Sequence, residues 1–168
     1  MFAKVLPINA AMGRVFFRTA VAETVAQSRF GLENAFFQLY RDVDYVANLL
    51  SHSALLGLEN PFSIWGGGVI RSSDVDLVAG HILGGEIKDE EAQNVADQLL
   101  LQFGLFPPRS MWPAEALRIE RCGGKLYLQA ARIHGSPFRE QLESMAEDFS
   151  PWTTVIHDLL RRESLLIR

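Results

Sequence analysis

The chain has 168 residues, 48% of them apolar and 21% charged, which excludes a disordered polypeptide and allows a sizeable buried core. Its apolar runs are only a few residues long, so no segment reads as a bilayer span. A single cysteine, Cys122, excludes an internal disulfide and a cysteine-based zinc site, and the formal net charge is −4.

The length suits one globular domain over residues 1–168. The N-terminal stretch carries Pro7, Gly13, Arg14 and Arg18 and does not read as a secretory signal, so a cytoplasmic, reducing location is the expectation. Residues 74–97 hold Asp74, Asp76, Glu86, Asp89, Glu90, Glu91 and Asp97 against Lys88. Residues 109–139 hold Arg109, Arg118, Arg121, Lys125, Arg132 and Arg139 against Glu115 and Glu120. An acidic region is thus followed by a basic one, either as facing parts of one fold or as patches for partners.

Taken in chain order, residues 9–28 predict a helix with its apolar stripe on Met12, Val15, Phe16, Ala20 and Val25. Residues 32–50 predict a second, with Leu32, Phe36, Leu39, Tyr40, Val43, Ala47 and Leu50 inward and Asp42 on the polar face. Gly57 and Asn60-Pro61 mark a connection over 51–64. Ser73 is placed to cap a third helix, with Asp74 and Asp76 in a first turn that favours negative charge and Gly84-Gly85 at its end. Asp89 starts a fourth, with Ala92, Val95, Ala96, Leu99 and Phe103 buried and Gly104 as its left-handed C-terminal residue.

Beyond a proline-punctuated link, residues 116–133 read as a β-hairpin turning at Gly123-Gly124, with Leu117, Ile119, Leu126, Leu128 and Ala130 on its covered face. Ser136-Pro137 and Ser150-Pro151 then start two helices, each serine capping and each proline first in the helix. Phe138, Leu142, Met145 and Phe149 form the buried stripe of one. Trp152, Val155, Ile156, Leu159 and Leu160 form that of the other. The expected fold class is therefore α+β: a mostly helical domain of five or six helices with one hairpin.

Three features carry functional weight. Trp65 followed by Gly66, Gly67 and Gly68 marks a backbone that something could approach closely, a candidate binding segment. Arg118, Arg121, Lys125 and Arg132 surround Tyr127 on the expected hairpin, a set that could follow a phosphate backbone while the aromatic stacks on a base. Strand alternation, however, puts Arg118 and Arg121 on opposite faces, and the overall acidity also argues against nucleic acid. Finally, the segment FSIWGGGVIRSSDVDLVAG resembles the signature of the nucleotidyltransferase superfamily, a glycine turn followed by an Asp-x-Asp pair. That resemblance implies divalent metal on Asp74 and Asp76 and a triphosphate held at Gly67-Gly68, with Glu120 a candidate third carboxylate. The interval from turn to pair is shorter here than in the family. The competing reading assigns Ser73, Asp74 and Asp76 to helix capping alone.

Residues 72–106 also resemble the helical N-terminal region of RadC-type proteins, through a Ser-Asp helix and a helix ending in Phe-Gly. The His-x-His metal motif of that family is absent, and no function follows from the likeness. His52, His81, His134 and His157 lack metal-ligand spacing, and neither a P-loop nor a serine-hydrolase elbow occurs. Cys122 reads as a structural thiol. No cofactor is expected. The leading expectation is a non-enzymatic protein that binds another protein or itself, an accessory, adaptor or immunity-type protein of a bacterium. The alternatives are a metal-dependent nucleotidyltransferase and a nucleic-acid-associated protein.

Overall fold

The computed structural model describes residues 10–27, 36–56, 75–105 and 113–162. Among them there are seven helices and no strand: α1 (Ala10–Gln27), α2 (Phe36–Leu56), α3 (Val75–Leu83), α4 (Asp89–Leu105), α5 (Pro113–Ala131), α6 (Phe138–Glu147) and α7 (Phe149–Arg162). The α+β expectation is overturned by α5, which runs unbroken through the segment expected to be a hairpin.

The reason lies in the period of the buried positions. Ile119, Cys122, Leu126, Tyr127, Ala130 and Ala131 are all buried, at the steps of three and four that define one side of a helix. Strand alternation would have covered Leu117 and Leu128, yet both are 47% exposed. Gly123-Gly124 is no turn. A Cβ on Gly123 would collide with the Phe149 ring, and one on Gly124 would come to 3.0 Å from the Ala146 carbonyl oxygen. Missing side chains at these two positions let α6 and the start of α7 lie close against α5. Close packing at the crossing outweighs the roughly 1 kcal/mol per residue that glycine costs inside a helix.

Gly104 is corrected on the same grounds. It does not end α4 in a left-handed conformation; it lies buried inside the helix, and a Cβ there would meet Ile156 of α7 at 2.5 Å. Gly84-Gly85, in contrast, ends α3 as expected. Gly84 N–H donates to the Gly80 carbonyl at 2.8 Å, and Gly85 takes φ +75°, where a Cβ is disfavoured.

Helix α5 is the hub of the bundle. It packs on α4, α6 and α3 and touches α7, while α7 bridges α4 to α1 and α2 packs on α1 and α6. One cluster of buried apolar side chains draws on all seven helices, with Trp152, Tyr127, Leu99 and Ile119 among the fully buried. The inward stripes expected for α4, α6 and α7 are the ones found, with Phe138 only half-buried.

Smaller differences concern helix ends and the first two helices. In α1 the buried line is Phe17, Ala20, Val21 and Val25, and Val15 is 68% exposed, so the inward face is rotated from the expected one. Helix α2 continues to Leu56, through residues expected to form a connection. Its Asp42, placed on the polar face by the sequence pattern, is buried and accepts a hydrogen bond from Ser144 Oγ of α6 at 2.5 Å. That bond satisfies a carboxylate which burial would otherwise leave costly. Helix α6 begins at Phe138 with Pro137 at its cap, and Ser136 Oγ donates to Glu140 Oε1. Helix α7 begins at Phe149, so Ser150 and Pro151 lie within its first turn.

Candidate binding surface and the buried network behind it

The helical geometry of α5 rearranges the basic residues. At about 100° per residue, Leu117, Leu128, Arg121, Lys125 and Arg118 fall within an arc of about 100° on one side. All five are exposed, and Arg132, also exposed, follows in the turn just beyond the helix. The split of Arg118 from Arg121 that a hairpin would impose is thereby corrected: both belong to one face. Among the described residues, Arg121, Lys125 and Arg132 form no ion pair or side-chain hydrogen bond. The two leucines border the cations, so the face combines apolar area with positive charge.

Exposed acids gather at a different place. Glu86, Glu90 and Glu91 stand at the corner between α3 and the start of α4, with Glu86 paired to His81 Nδ1. No ion pair links them to the α5 cations among the described residues. Glu86, Glu90 and Glu91 are each exposed, as are Arg118, Arg121 and Lys125. Across the α4–α5 contact the link is neutral on one side: Gln129 Nε2 donates to Asp89 Oδ1 and to the Ile87 carbonyl, both at 2.8 Å.

Tyr127, expected as an exposed stacking residue, is fully buried on the opposite side of α5. Its hydroxyl donates to Asp97 Oδ1 of α4 at 2.7 Å, and the Tyr45 hydroxyl of α2 donates to the same oxygen at 2.6 Å. Gln93 Nε2 in turn donates to the Tyr45 hydroxyl at 3.0 Å. The two tyrosine rings meet edge to face with centroids 6.2 Å apart, and the Phe149 ring centroid also lies 6.2 Å from that of Tyr127. Two aligned phenol donors stabilise a buried charge, yet burial outweighs them and raises the Asp97 carboxyl to about 6. Burial also pushes both phenols well above the ordinary tyrosine range, with the neighbouring carboxylate adding to it, so both remain donors.

Sequence reasoning misses this network because nothing local marks it. Its members stand on three helices, and Asp97 sits in an acidic run that reads as solvated surface. Spacing offers one usable signal. Asp97 falls among Val95, Ala96, Leu99 and Leu100 in the most apolar part of α4, and a charged residue there needs a partner.

The remaining candidates fall in several places. Trp65, Gly66, Gly67 and Gly68 lie outside the described residues, as do Ser73 and Asp74. Asp76 is the second residue of α3, so an Asp-x-Asp pair on one strand, which the nucleotidyltransferase resemblance requires, does not form at residues 75–83. Glu120 is half-buried on α5 and hydrogen-bonds Ser150 of α7, with its carboxyl raised by burial. Cys122 is buried and burial raises its thiol, the opposite of what an activated nucleophile needs. No group of three His, Cys, Asp or Glu side chains among the described residues could hold a metal ion. None of the described helices is long and apolar enough to cross a membrane. Comparison of the chain with known protein families, with curated proteins and with solved structures finds no match.

Proposed function

We propose that the protein works by binding another protein and not by catalysis, presenting the exposed face of α5 to an acidic segment of its partner. The observation that supports this reading is the combination on one helix face: Leu117 and Leu128, each about half-exposed, beside Arg118, Arg121 and Lys125. Apolar area next to charge suits a protein partner. Leucines contribute by being covered, and the cations set orientation and speed of encounter with a surface of opposite sign. A phosphate backbone uses the cations but gains little from the leucines, and the aromatic that would have stacked on a base is buried. The net charge of −4 weighs the same way. The single buried cysteine and the excess of arginine over lysine fit an accessory, adaptor or immunity-type role in a bacterial cytoplasm.

A photo-crosslinking amino acid at position 128 of the full-length chain, activated in native cells, tests the proposal. One dominant protein adduct is expected, mapping to an acidic segment and lost in Arg121→Glu/Lys125→Glu. Adducts dominated by nucleic acid, or unchanged by the charge reversal, overturn the assignment. Adducts to a second copy of this chain convert it to self-association, which sedimentation of Leu117→Ser/Leu128→Ser against the parent then reads directly.

A further inference from the structure

A cleft of about 500 Å3 opens between α1, α2 and α4 on the side of the bundle where the Tyr45–Asp97 bond comes to the surface. Arg14 stands on its α1 wall, Tyr45, Asn48 and His52 on its α2 wall, and Gln93 and Asp97 on its α4 wall. Three observations give it a chemistry. First, both phenol bonds to Asp97 end on Oδ1, and among the described residues Oδ2 accepts no hydrogen bond. A carboxylate held this way keeps acceptor positions on its second oxygen for a donor entering the cleft. Second, Arg14 has no anionic or hydrogen-bonding partner among the described residues, and it is exposed on the α1 wall, with His52 also exposed. Third, the Tyr45 ring and Leu49 supply apolar lining from α2, and most of the surface of the cleft is apolar.

The cleft therefore carries a carboxylate on its α4 wall, a guanidinium on its α1 wall and apolar lining from α2. We propose that it binds a small zwitterion of the amino-acid class, with the ammonium on Asp97 Oδ2, the carboxylate at Arg14 and an apolar side chain against Leu49 and the Tyr45 ring. An ammonium brings up to three N–H donors and a full positive charge to a carboxylate that is largely desolvated by its surroundings. Its Oδ1 is oriented by two hydroxyls on different helices, so the receiving oxygen is fixed before the ligand arrives. Gln93 and Asn48 stand on the walls where they can orient the bound molecule. This site is separate from the exposed side of α5, so it stands or falls apart from the docking proposal.

The test uses the intact protein and three matched probes: L-leucine, 3-methylbutylamine, which lacks the carboxylate, and 4-methylpentanoate, which lacks the ammonium. Calorimetric titration, preceded by a thermal-shift screen of the standard amino acids at millimolar concentration, reads binding. At least one apolar amino acid is expected to bind saturably, with the amine weaker and the deaminated acid weakest. Asp97→Asn keeps an oxygen for both tyrosine hydroxyls and removes the charge; it should weaken amino-acid binding about tenfold or more. Arg14→Gln, on an exposed side chain, should weaken the amino acid to the level of the amine and leave the amine unchanged. The proposal is overturned if no amino acid raises the melting temperature, if Asp97→Asn binds as tightly as the parent, or if 4-methylpentanoate matches L-leucine. Should Asp97→Asn fail to fold, the Arg14→Gln comparison and the deaminated probe still decide.

Discussion

At Gly85 the backbone swings to φ +75° and α3 is over, whereas at Gly123-Gly124 the same dipeptide passes through the middle of α5 without a break. The difference is in what surrounds them. Nothing lies within 4 Å of a Cβ built on Gly85, so open space and an unusual backbone angle explain that residue. At Gly123 the backbone is ordinary helix and the neighbour is crowded: the Phe149 ring occupies the space a methyl group would need. One glycine is chosen for its dihedral freedom and the other for its lack of volume. The first can be recognised from local sequence, because it follows a helix end; the second depends on a residue on another helix.

The strongest way to break this distinction is to add a methyl group at the crossing. Gly123→Ala should gain roughly 1 kcal/mol of helix propensity and lose more through overpacking against Phe149, about 1–3 kcal/mol and occasionally above. A net destabilisation is expected, with a melting temperature lower by several degrees and the helical circular dichroism intact. Phe149→Leu added to Gly123→Ala should recover part of the loss, giving a double-mutant cycle that departs from additivity. If Gly123→Ala stabilises the protein, the contact is not the reason for the glycine and α5 carries it for some other cause.

These two glycine pairs also mark how much is legible in the sequence. Four of the seven helices, α2, α4, α6 and α7, follow from apolar spacing, because their buried residues recur on one side with polar residues opposite; α1 turns a different face inward from the one its spacing suggests, and α3 is marked by its capping residues. Helix α5 is obscured by coincidence. Its exposed Leu117 and Leu128 happen to complete an alternating pattern with Ile119 and Leu126, and a Gly-Gly pair sits midway. Reading only the residues buried in the fold, Ile119, Cys122, Leu126, Tyr127, Ala130 and Ala131, restores the helical period. The basic residues of the candidate surface are visible singly, and their grouping on one face depends on that period. Tyr45, Asp97 and Tyr127 converge from three helices, and no spacing within one segment announces such a meeting. Asp42 is the same case on a smaller scale, a charged residue whose partner Ser144 is far along the chain.

At the α3 corner the comparison can be sharpened through the backbone angle alone. Gly85→Ala forces a Cβ into left-handed backbone with no neighbour in the way, a cost of about 1–2 kcal/mol. Gly85→Asn should cost less, since asparagine visits that region more readily. Ranking Gly85→Ala below Gly85→Asn in chemical denaturation is the expected result. Equal stabilities would mean that the corner relaxes to another turn, and the assignment of Gly85 to dihedral freedom would fall.

The smallest effect, and the one with the opposite sign, belongs to Gly80. It lies within α3, is exposed, and has nothing within 4 Å of a Cβ built on it; no positive φ marks it. Neither reason that holds for the other glycines applies here. Gly80→Ala should therefore stabilise the protein by about 0.5–1 kcal/mol, by narrowing the unfolded chain and improving helix propensity. Denaturation midpoints of Gly80→Ala, Gly85→Ala and Gly123→Ala should then separate into a gain at Gly80 and losses at Gly85 and Gly123. A loss at Gly80 would show that a glycine in open helix carries a constraint that contacts and backbone angles do not express. Gain there, with loss at Gly123, isolates the Phe149 contact, since both substitutions place the same methyl group on helical backbone.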